Sequence, residues 1–387
     1  MPALRDDIDP DGLLEYSVVF SDRSLNSMSD AFGEVMRDIS RIMRNAYGAA
    51  SVAVVPGGGT YGMEAIARQF ANDARVLVIR NGWFSYRWSQ IMEAGKLASH
   101  TTVLAASQCD DNTNAPFAPC PLKDILERIR AEKPDVVFCP HVETSAGMMM
   151  PDNFIRAVTG CVHEHGGIFV LDCVASGTVF VNLEETGVDL LLTAPQKGWS
   201  ASPCAALVMM SPHGRARLDE TTSSSFANDL KKWTQIMETY EGGAHAYHAT
   251  MPTDALRHFR DALIEAEEFG LEALKQAQIR LGEEVRGLMD RYSYKSVAAD
   301  GFKAPSVVVC FAPSAEIKSG KAFAEQGLQI AAGVPLECGE REDYASFRIG
   351  LFGLDKLMNI DRTVTNLEMA LEKIRGQNAP ALPPSKA

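Results

Sequence analysis

The chain has 387 residues, of which 46% are hydrophobic, and it carries a formal net charge of −13 at pH 7. This length exceeds the roughly 250–300 residues at which a single core stops growing, so we expect more than one domain. The acidic balance argues against a nucleic-acid or anionic-membrane partner, and no apolar run reaches the roughly 18 residues of a membrane-spanning helix.

Cellular location and metal binding are predicted from the N-terminus, the cysteines and the histidines. Residues 1–7 are acidic and lack the basic-then-apolar layout of a signal peptide. The eight cysteines are dispersed and form no CxxC pair, which is typical of reduced thiols in a cytoplasm. His163 and His165 are two residues apart in a helical pattern and so do not share a face. We therefore predict a cytoplasmic protein without a metal site.

Helical and strand patterns alternate through the first 210 residues. A helix with apolar residues three and four apart begins after Ser29 and ends at Gly48. Further helices are predicted over about 63–70, 121–131 and 153–165, and strands over 51–55, 75–80, 136–139, 168–171, 188–193 and 205–210. Short apolar strands that alternate with helices predict a mainly parallel sheet buried on both faces.

The pattern changes after residue 211. A Ser/Thr-rich stretch precedes a long predicted helix over about 252–292, and a smaller α+β unit follows. Its strands are predicted near 307–311 and 347–349, its helices near 321 and over 355–374, and the tail beyond residue 377 is Pro-rich. We therefore assign residues 1–253 to an N-terminal segment and a large domain, and residues 254–387 to a connecting helix and a small C-terminal domain.

A glycine-rich segment at residues 57–62 fits the pattern GxGxxG between a strand and a helix. Its backbone N–H groups and the helix N-terminus predict a phosphate site, although a plain tight turn is an alternative. A dinucleotide fold would require an acidic residue at the end of the next strand. That strand ends with Arg80 and Asn81, which disfavours NAD and leaves NADP as a weakened possibility.

Asp172 and Lys197 are the next two candidates. Asp172 ends a buried strand, where open parallel sheets bind ligands, and a helix or turn cap is its structural alternative. Lys197 follows another apolar strand and Pro195, and a lysine there is costly to desolvate unless a reaction uses it. A phosphate loop, a strand-end Asp and a strand-end Lys together match pyridoxal 5′-phosphate (PLP), whose ring nitrogen needs a carboxylate partner and whose aldehyde needs a lysine.

With these residues in place, the chain resembles the class V aminotransferases of PLP fold type I, and in particular the alanine–glyoxylate and serine–pyruvate group. The resemblance covers about residues 18–374. It is carried, in order, by residues 57–65, 81–84, 143–147, 171–176, 196–197, 247–252 and 347–350. It implies an α/β fold in which a large domain has a mainly parallel seven-stranded sheet between helices and a smaller α+β domain follows.

The resemblance also implies roles for matching residues. Lys197 would hold PLP covalently and transfer protons, while Asp172 would pair with the ring nitrogen. Tyr247 and Thr250 would reach the phosphate in the neighbouring subunit, which implies a homodimer with shared active sites. The remaining cofactor contacts implied by the family are Gly58, Gly59, Thr60, Phe84, Ser145 (or its neighbour Thr144), Val174 and Gln196.

Two arginines are the predicted substrate contacts. Arg348 matches the family's clamp for the substrate α-carboxylate, a group that guanidinium binds through two parallel hydrogen bonds. The family's Gly-Pro-rich turn near the substrate is replaced here by residues 19–26, which include Arg23. We hypothesise that Arg23 contacts a second anionic group on one substrate, such as a carboxylate, phosphonate or sulfonate.

The predicted reaction is a ping-pong transamination from a small amino acid to an oxo acid such as glyoxylate or pyruvate. Cys338 lies in a region comparable to the nucleophilic loop of cysteine desulfurases, so C–S lyase chemistry stays open. That branch stacks a His on the ring, whereas this chain has Phe84. Racemase or decarboxylase chemistry is a further alternative. A non-enzymatic binding protein would be expected to lack Lys197 or Asp172.

Overall fold

The computed structural model describes residues 7–18 and 23–377. The predictions for the start of the N-terminus (residues 1–6), for most of the segment that precedes Arg23 (residues 19–22) and for the Pro-rich tail (378–387) lie outside the described residues. Among the helices of the described residues, none is both long enough and apolar enough to cross a membrane.

Helices and strands alternate along the chain as the sequence predicts. The helices are α1 (Asp30–Tyr47), α2 (Gly59–Phe70), α3 (Trp83–Gly95), α4 (Leu122–Glu132), α5 (Asp152–His163), α6 (Leu183–Thr186), α7 (Pro212–Asp219), α8 (Leu230–Glu241), α9 (Thr253–Phe269), α10 (Leu271–Arg291), α11 (Ala315–Ser319), α12 (Lys321–Ala324), α13 (Leu354–Met358) and α14 (Ile360–Gln377). The strands are β1 (Ser51–Pro56), β2 (Arg75–Arg80), β3 (His100–Ala105), β4 (Ser107–Gln108), β5 (Phe117–Ala118), β6 (Val136–Pro140), β7 (Val142–Glu143), β8 (Met148–Met149), β9 (Ile168–Asp172), β10 (Leu190–Thr193), β11 (Ala205–Met210), β12 (Val307–Phe311), β13 (Ala331–Ala332) and β14 (Ser346–Gly350).

A seven-stranded sheet forms the centre of the large domain, in the order β1-β11-β10-β9-β6-β2-β3. Strands β10, β9, β6, β2 and β3 pair in parallel, and β11 runs antiparallel to both of its neighbours. The strands β9, β10 and β11 are buried along their whole length, which explains their uninterrupted apolar runs. The predicted fold class is therefore confirmed.

The C-terminal part contains an antiparallel sheet in the order β12-β14-β13; helix α10 packs against β12, and α14 packs against α10. The prediction of a single long helix over 252–292 is wrong. The chain breaks at Gly270, whose φ of 96° lies outside the helical region and favours glycine, so α9 and α10 are separate helices. The domain boundary at residues 253/254 stays a prediction.

The parallel arrangement gathers several loops at one edge of the sheet. The carboxyl ends of β2, β6, β9 and β10 lead into Asn81, His141, Cys173 and the turn that contains Lys197. Strand β1 leads into Gly57 and helix α2 at the same edge, since it runs parallel to them. Ligands of open α/β sheets bind at this edge, so the fold assembles the predicted site residues there.

Candidate active site at the carboxyl edge of the sheet

Lys197 is half-buried in the turn after β10, and its Nζ lies 5.0 Å from the centre of the Phe352 ring. Burial lowers the pKa of Lys197, and the positive charge of Arg348 lowers it further, whereas Asp172 opposes the shift. The turn is fastened to the C-terminal part of the chain because Ser200 Oγ accepts a hydrogen bond from Leu354 N at 2.5 Å. The surroundings of Lys197 thus favour its neutral amine more than water does.

Asp172 is only 9% exposed at the end of β9. Its Oδ1 accepts a hydrogen bond from Val174 N at 2.9 Å, and its backbone oxygen accepts one from His141 N at 2.8 Å. Burial raises the pKa of Asp172 to about 6, with a further contribution from Glu143, while the Val174 N–H, Arg87 and Lys197 oppose the rise. This carboxyl group therefore favours a cationic or N–H partner that enters the site.

The glycine-rich turn forms a cradle at the N-terminus of α2. Gly57 has a φ of 121°, and a Cβ on Gly59 would lie 3.0 Å from Val174 Cγ2. No hydrogen bond from the side chain of an N-cap residue satisfies the first turn of α2, because the N-cap is Gly58. Free backbone N–H groups at a helix start bind anions, so a phosphate group fits here.

Arg87 lies beside this cradle, and the sequence predictions did not include it. Its Nη1 donates a hydrogen bond to Thr60 Oγ1 at 3.0 Å, and its guanidinium carbon lies 5.4 Å from the centre of the Phe84 ring. Residues 84 and 87 are one turn apart on α3, and that spacing beside the predicted ring-stacking Phe84 was the available signal.

Glu143 is a second residue of this cluster that the predictions did not include. It is fully buried, and its carboxylate accepts five hydrogen bonds, from Phe84 N, Ser85 N and Oγ, and Ser145 N and Oγ, at 2.6–3.2 Å. A carboxylate at the N-terminus of α3 is favoured by the helix dipole. Glu143 therefore fixes both Phe84 and Ser145 in position.

Arg348 lies on β14, close to Phe84 and Lys197. Its Nε donates to Ala332 O at 2.9 Å, and its guanidinium carbon lies 5.6 Å from the centre of the Phe84 ring. Burial lowers the pKa of Arg348. Among the described residues it makes no ion pair, so its charge is available to an incoming carboxylate.

The structure does not bring every predicted residue into this cluster. Tyr247 and Thr250 are exposed, and the hydroxyl oxygen of Tyr247 lies 3.3 Å from Thr250 Oγ1. Within the described ranges, no hydrogen bond connects either residue with the Lys197 cluster. Gln196 is exposed beside Lys197, and Arg23 is exposed near the N-terminus of α1. The roles of these four residues stay predictions.

The contacts of Arg80 argue against NADP as the cofactor. The guanidinium of Arg80 donates to Glu337 O at 3.0 Å and to Ser89 Oγ at 2.9 Å, and it lies 4.5 Å from the centre of the Tyr86 ring. Arg80 is thus occupied by contacts within the protein. The cradle, the buried Asp172 and the half-buried Lys197 fit PLP instead.

Comparison with known proteins agrees with this geometry. No family model matches the chain. It is 28% identical over 257 residues to alanine–glyoxylate aminotransferase 1 of Saccharomyces cerevisiae, which covers 62% of each chain. It is 25% identical over 333 residues to the 2-aminoethylphosphonate–pyruvate transaminase of Vibrio vulnificus strain CMCP6, covering 82% of this chain and 83% of the relative.

Solved structures show the fold. The alanine–glyoxylate aminotransferase of Nostoc sp. superimposes with a TM-score of 0.75 at 22% identity, covering 89% of this chain and 88% of the other. The pyridoxamine–pyruvate aminotransferase of Mesorhizobium loti gives 0.75 at 18% identity, covering 91% and 87%. The chain is related to the class V aminotransferases. Its own fold is PLP fold type I, as predicted.

One further protein of similar sequence is not named as an aminotransferase. The soluble hydrogenase small subunit of Synechococcus sp. strain PCC 6716 is 27% identical over 328 residues, covering 84% of this chain and 80% of that protein. Its name describes that protein only.

Proposed function

We propose that the protein is a PLP-dependent aminotransferase that moves an amino group from a small amino acid to an oxo acid such as glyoxylate or pyruvate by a ping-pong mechanism. The observation that carries the proposal is the position of Lys197, an amine of lowered pKa beside both Asp172 and Arg348. No feature of this cluster favours the activity in the hydrogenase name.

When bound, PLP supplies an electron-accepting ring that stabilises negative charge on the substrate Cα. The α2 N-terminus, Thr60 and Arg87 bind its phosphate, and Asp172 pairs with the ring nitrogen. Arg348 binds the substrate carboxylate and thereby orients the Cα–H bond. Lys197 would then accept the Cα proton and deliver it to C4′ of the cofactor, because a lowered pKa leaves more of its amine unprotonated and able to act as a base.

The desulfurase alternative is not favoured, because Cys338 is a poor nucleophile in this environment. Burial, together with the charges of Glu143 and Glu340, raises the pKa of the Cys338 thiol to about 12. A desulfurase nucleophile must be a thiolate, and neutral pH leaves this group protonated. Its Sγ lies 3.6 Å from Arg80 O, in a structural contact.

The finer predictions also belong to this proposal. We infer a homodimer in which Tyr247 and Thr250 serve the neighbouring active site, which is supported by the exposure of Tyr247 (60%), Tyr61 (55%) and Phe226 (81%) in the single chain. A cytoplasmic location is supported by the eight cysteines, all of which are free.

Arg23 is proposed as a contact for a second anionic group on one substrate. The name of the Vibrio vulnificus relative describes a substrate with a phosphonate group, which supports this hypothesis. Arg23→Ala should reduce kcat/KM for donors with an acidic side group and leave neutral donors unchanged. If the substitution changed kcat/KM equally for both donor classes, or for neither, the hypothesis would be wrong.

A half-reaction tests the proposed function. The purified protein is mixed with single amino acids without an oxo acid, and the visible absorbance of the lysine-linked cofactor is followed. A donor should abolish that absorbance, and a later addition of glyoxylate or pyruvate should restore it. Lys197→Ala should retain PLP but lose turnover, whereas Lys123→Ala on the exposed face of α4 should behave as wild type. Full activity in Lys197→Ala would disprove the proposal, and sulfide release from cysteine would favour the desulfurase alternative.

A further inference from the structure

Three possible metal ligands meet at the amino end of strand β10. Asp189 immediately precedes β10, His163 ends α5, and His213 lies in the first turn of α7. Asp189 Oδ2 lies 2.9 Å from His163 Nε2, and Asp189 Oδ1 lies 2.8 Å from His213 Nδ1. Lys197 follows the other end of β10, and four strand residues separate the two ends by about 13 Å. This cluster is therefore distinct from the active site.

The Asp189 carboxylate requires a compensating positive charge. Its side chain has 0% exposure, and within residues 7–18 and 23–377 no Lys or Arg forms an ion pair with it. Its other hydrogen bond comes from Phe169 N at 2.8 Å, which is a neutral donor. A buried carboxylate without a cation is costly, so a metal ion held between it and the two imidazoles would stabilise this charge.

The cluster is held rigidly before any ion binds. Asp189 N donates to Phe169 O at 3.2 Å, and Ser211 N donates to Asp189 O at 2.9 Å. Helix α7 approaches so closely that a Cβ on Gly214 would lie 2.3 Å from Asp189 O, which explains the glycine next to His213. A preformed ligand set lowers the entropic cost of binding.

We propose that His163, Asp189 and His213 form a binding site for a divalent transition-metal ion such as Zn²⁺. Two imidazoles and a carboxylate are a ligand set that these ions prefer. The three ligand atoms lie within 4.8 Å of one another. At metal–ligand distances of about 2.0–2.1 Å, tetrahedral ligands are roughly 3.3 Å apart, so small rotations of the imidazoles complete the geometry.

The exposure of the two histidines supplies the access that the site needs. The side chain of His163 is 35% exposed and that of His213 is 45% exposed, which leaves a coordination position for water and a path for the ion. Binding requires the His163 Nε2 and the His213 Nδ1 to be free of a hydrogen atom, because these two nitrogens face Asp189 and would coordinate the ion. The ion would fasten α5 and α7 to the sheet, which is a structural role.

Zn²⁺ titration of the tag-free, cofactor-loaded protein tests this site. Calorimetry should give one ion per chain with a Kd at or below about 1 μM, and Co²⁺ should give the visible bands of a tetrahedral ion. His163→Ala and His213→Ala should each weaken Zn²⁺ binding by at least about tenfold and abolish the Co²⁺ bands.

His165→Ala is the matched control. It removes an imidazole two residues from His163 whose Nε2 hydrogen-bonds Pro134 O instead, and it should bind Zn²⁺ as wild type. The visible absorbance of the bound cofactor verifies that each variant is folded. The proposal is overturned if wild type shows no saturable binding below about 100 μM, or if the His163 and His213 variants bind as tightly as wild type. In that case the three side chains form only a hydrogen-bonded cluster.

Discussion

Replacement of Asp172 by Asn tests whether burial controls this carboxyl group. Burial raises its pKa from 3.8 to about 6. A difference of about 2 pKa units corresponds to a cost of roughly 3 kcal/mol for holding the charge in the folded protein without cofactor. Because the folded-state pKa lies above the unfolded value, this cost is absent below about pH 4 and complete above about pH 6. Asn has nearly the same shape, and its Oδ1 can keep the hydrogen bond from Val174 N.

The expected gain in unfolding free energy of cofactor-free Asp172→Asn is therefore about 3 kcal/mol at pH 8 and about 1 kcal/mol at pH 4.5. Urea unfolding at both pH values measures it, and Asp111→Asn, which changes an exposed loop carboxylate, is the control. The cofactor-loaded variant should show the opposite trend, with lost activity and weaker PLP binding, because a neutral amide cannot pair with a protonated ring nitrogen. A loss of stability at pH 8, or the same gain at both pH values, would refute the burial argument.

Three further predictions concern residues around the site. Arg87→Met should weaken PLP binding by roughly 10–100-fold, measured by cofactor titration, because it removes the cation beside Thr60; unchanged affinity would show that Arg87 does not contact the phosphate. Glu143→Gln keeps one acceptor oxygen but leaves Ser85 N without a partner, so urea unfolding should show a loss of about 1–3 kcal/mol together with a reduced kcat; a variant as stable as wild type contradicts the positioning role. Cys338→Ser should keep kcat within about twofold in a transamination assay, since a thiol of raised pKa takes no part in the reaction, and abolished transamination would contradict this reasoning.

Much of the fold was predictable because the signals are local. Ser29 is the N-cap of α1 and Gly48 ends it with a φ of 60°, as the sequence indicates. The apolar run at 75–80 is strand β2, and its buried pattern follows from a sheet covered on both faces. The break at Gly270 was missed because apolar residues continue at helical spacing on both sides, and periodicity does not reveal a single change in φ.

The sequence also predicted which chemical groups lie in the candidate active site. Lys197 and Asp172 each follow an apolar strand, and the carboxyl ends of parallel strands meet at one edge, so their proximity follows from chain order and strand direction alone. The phosphate cradle was predictable for the same reason, since Gly57 and its neighbours lie between a strand and a helix.

Tertiary structure decided the charges and contacts that surround these groups. Arg87 on α3 meets Thr60 on α2, and Glu143 meets the start of α3, and both contacts join residues that are far apart in the sequence. His163 was compared in the sequence only with His165, two residues away, whereas its neighbour through Asp189 is His213, fifty positions along the chain. Burial, which sets the pKa directions of Lys197 and Asp172, depends on how all these elements pack. The chain order thus determined which groups are present at the sheet edge, and three-dimensional packing determined how acidic, basic and accessible they are.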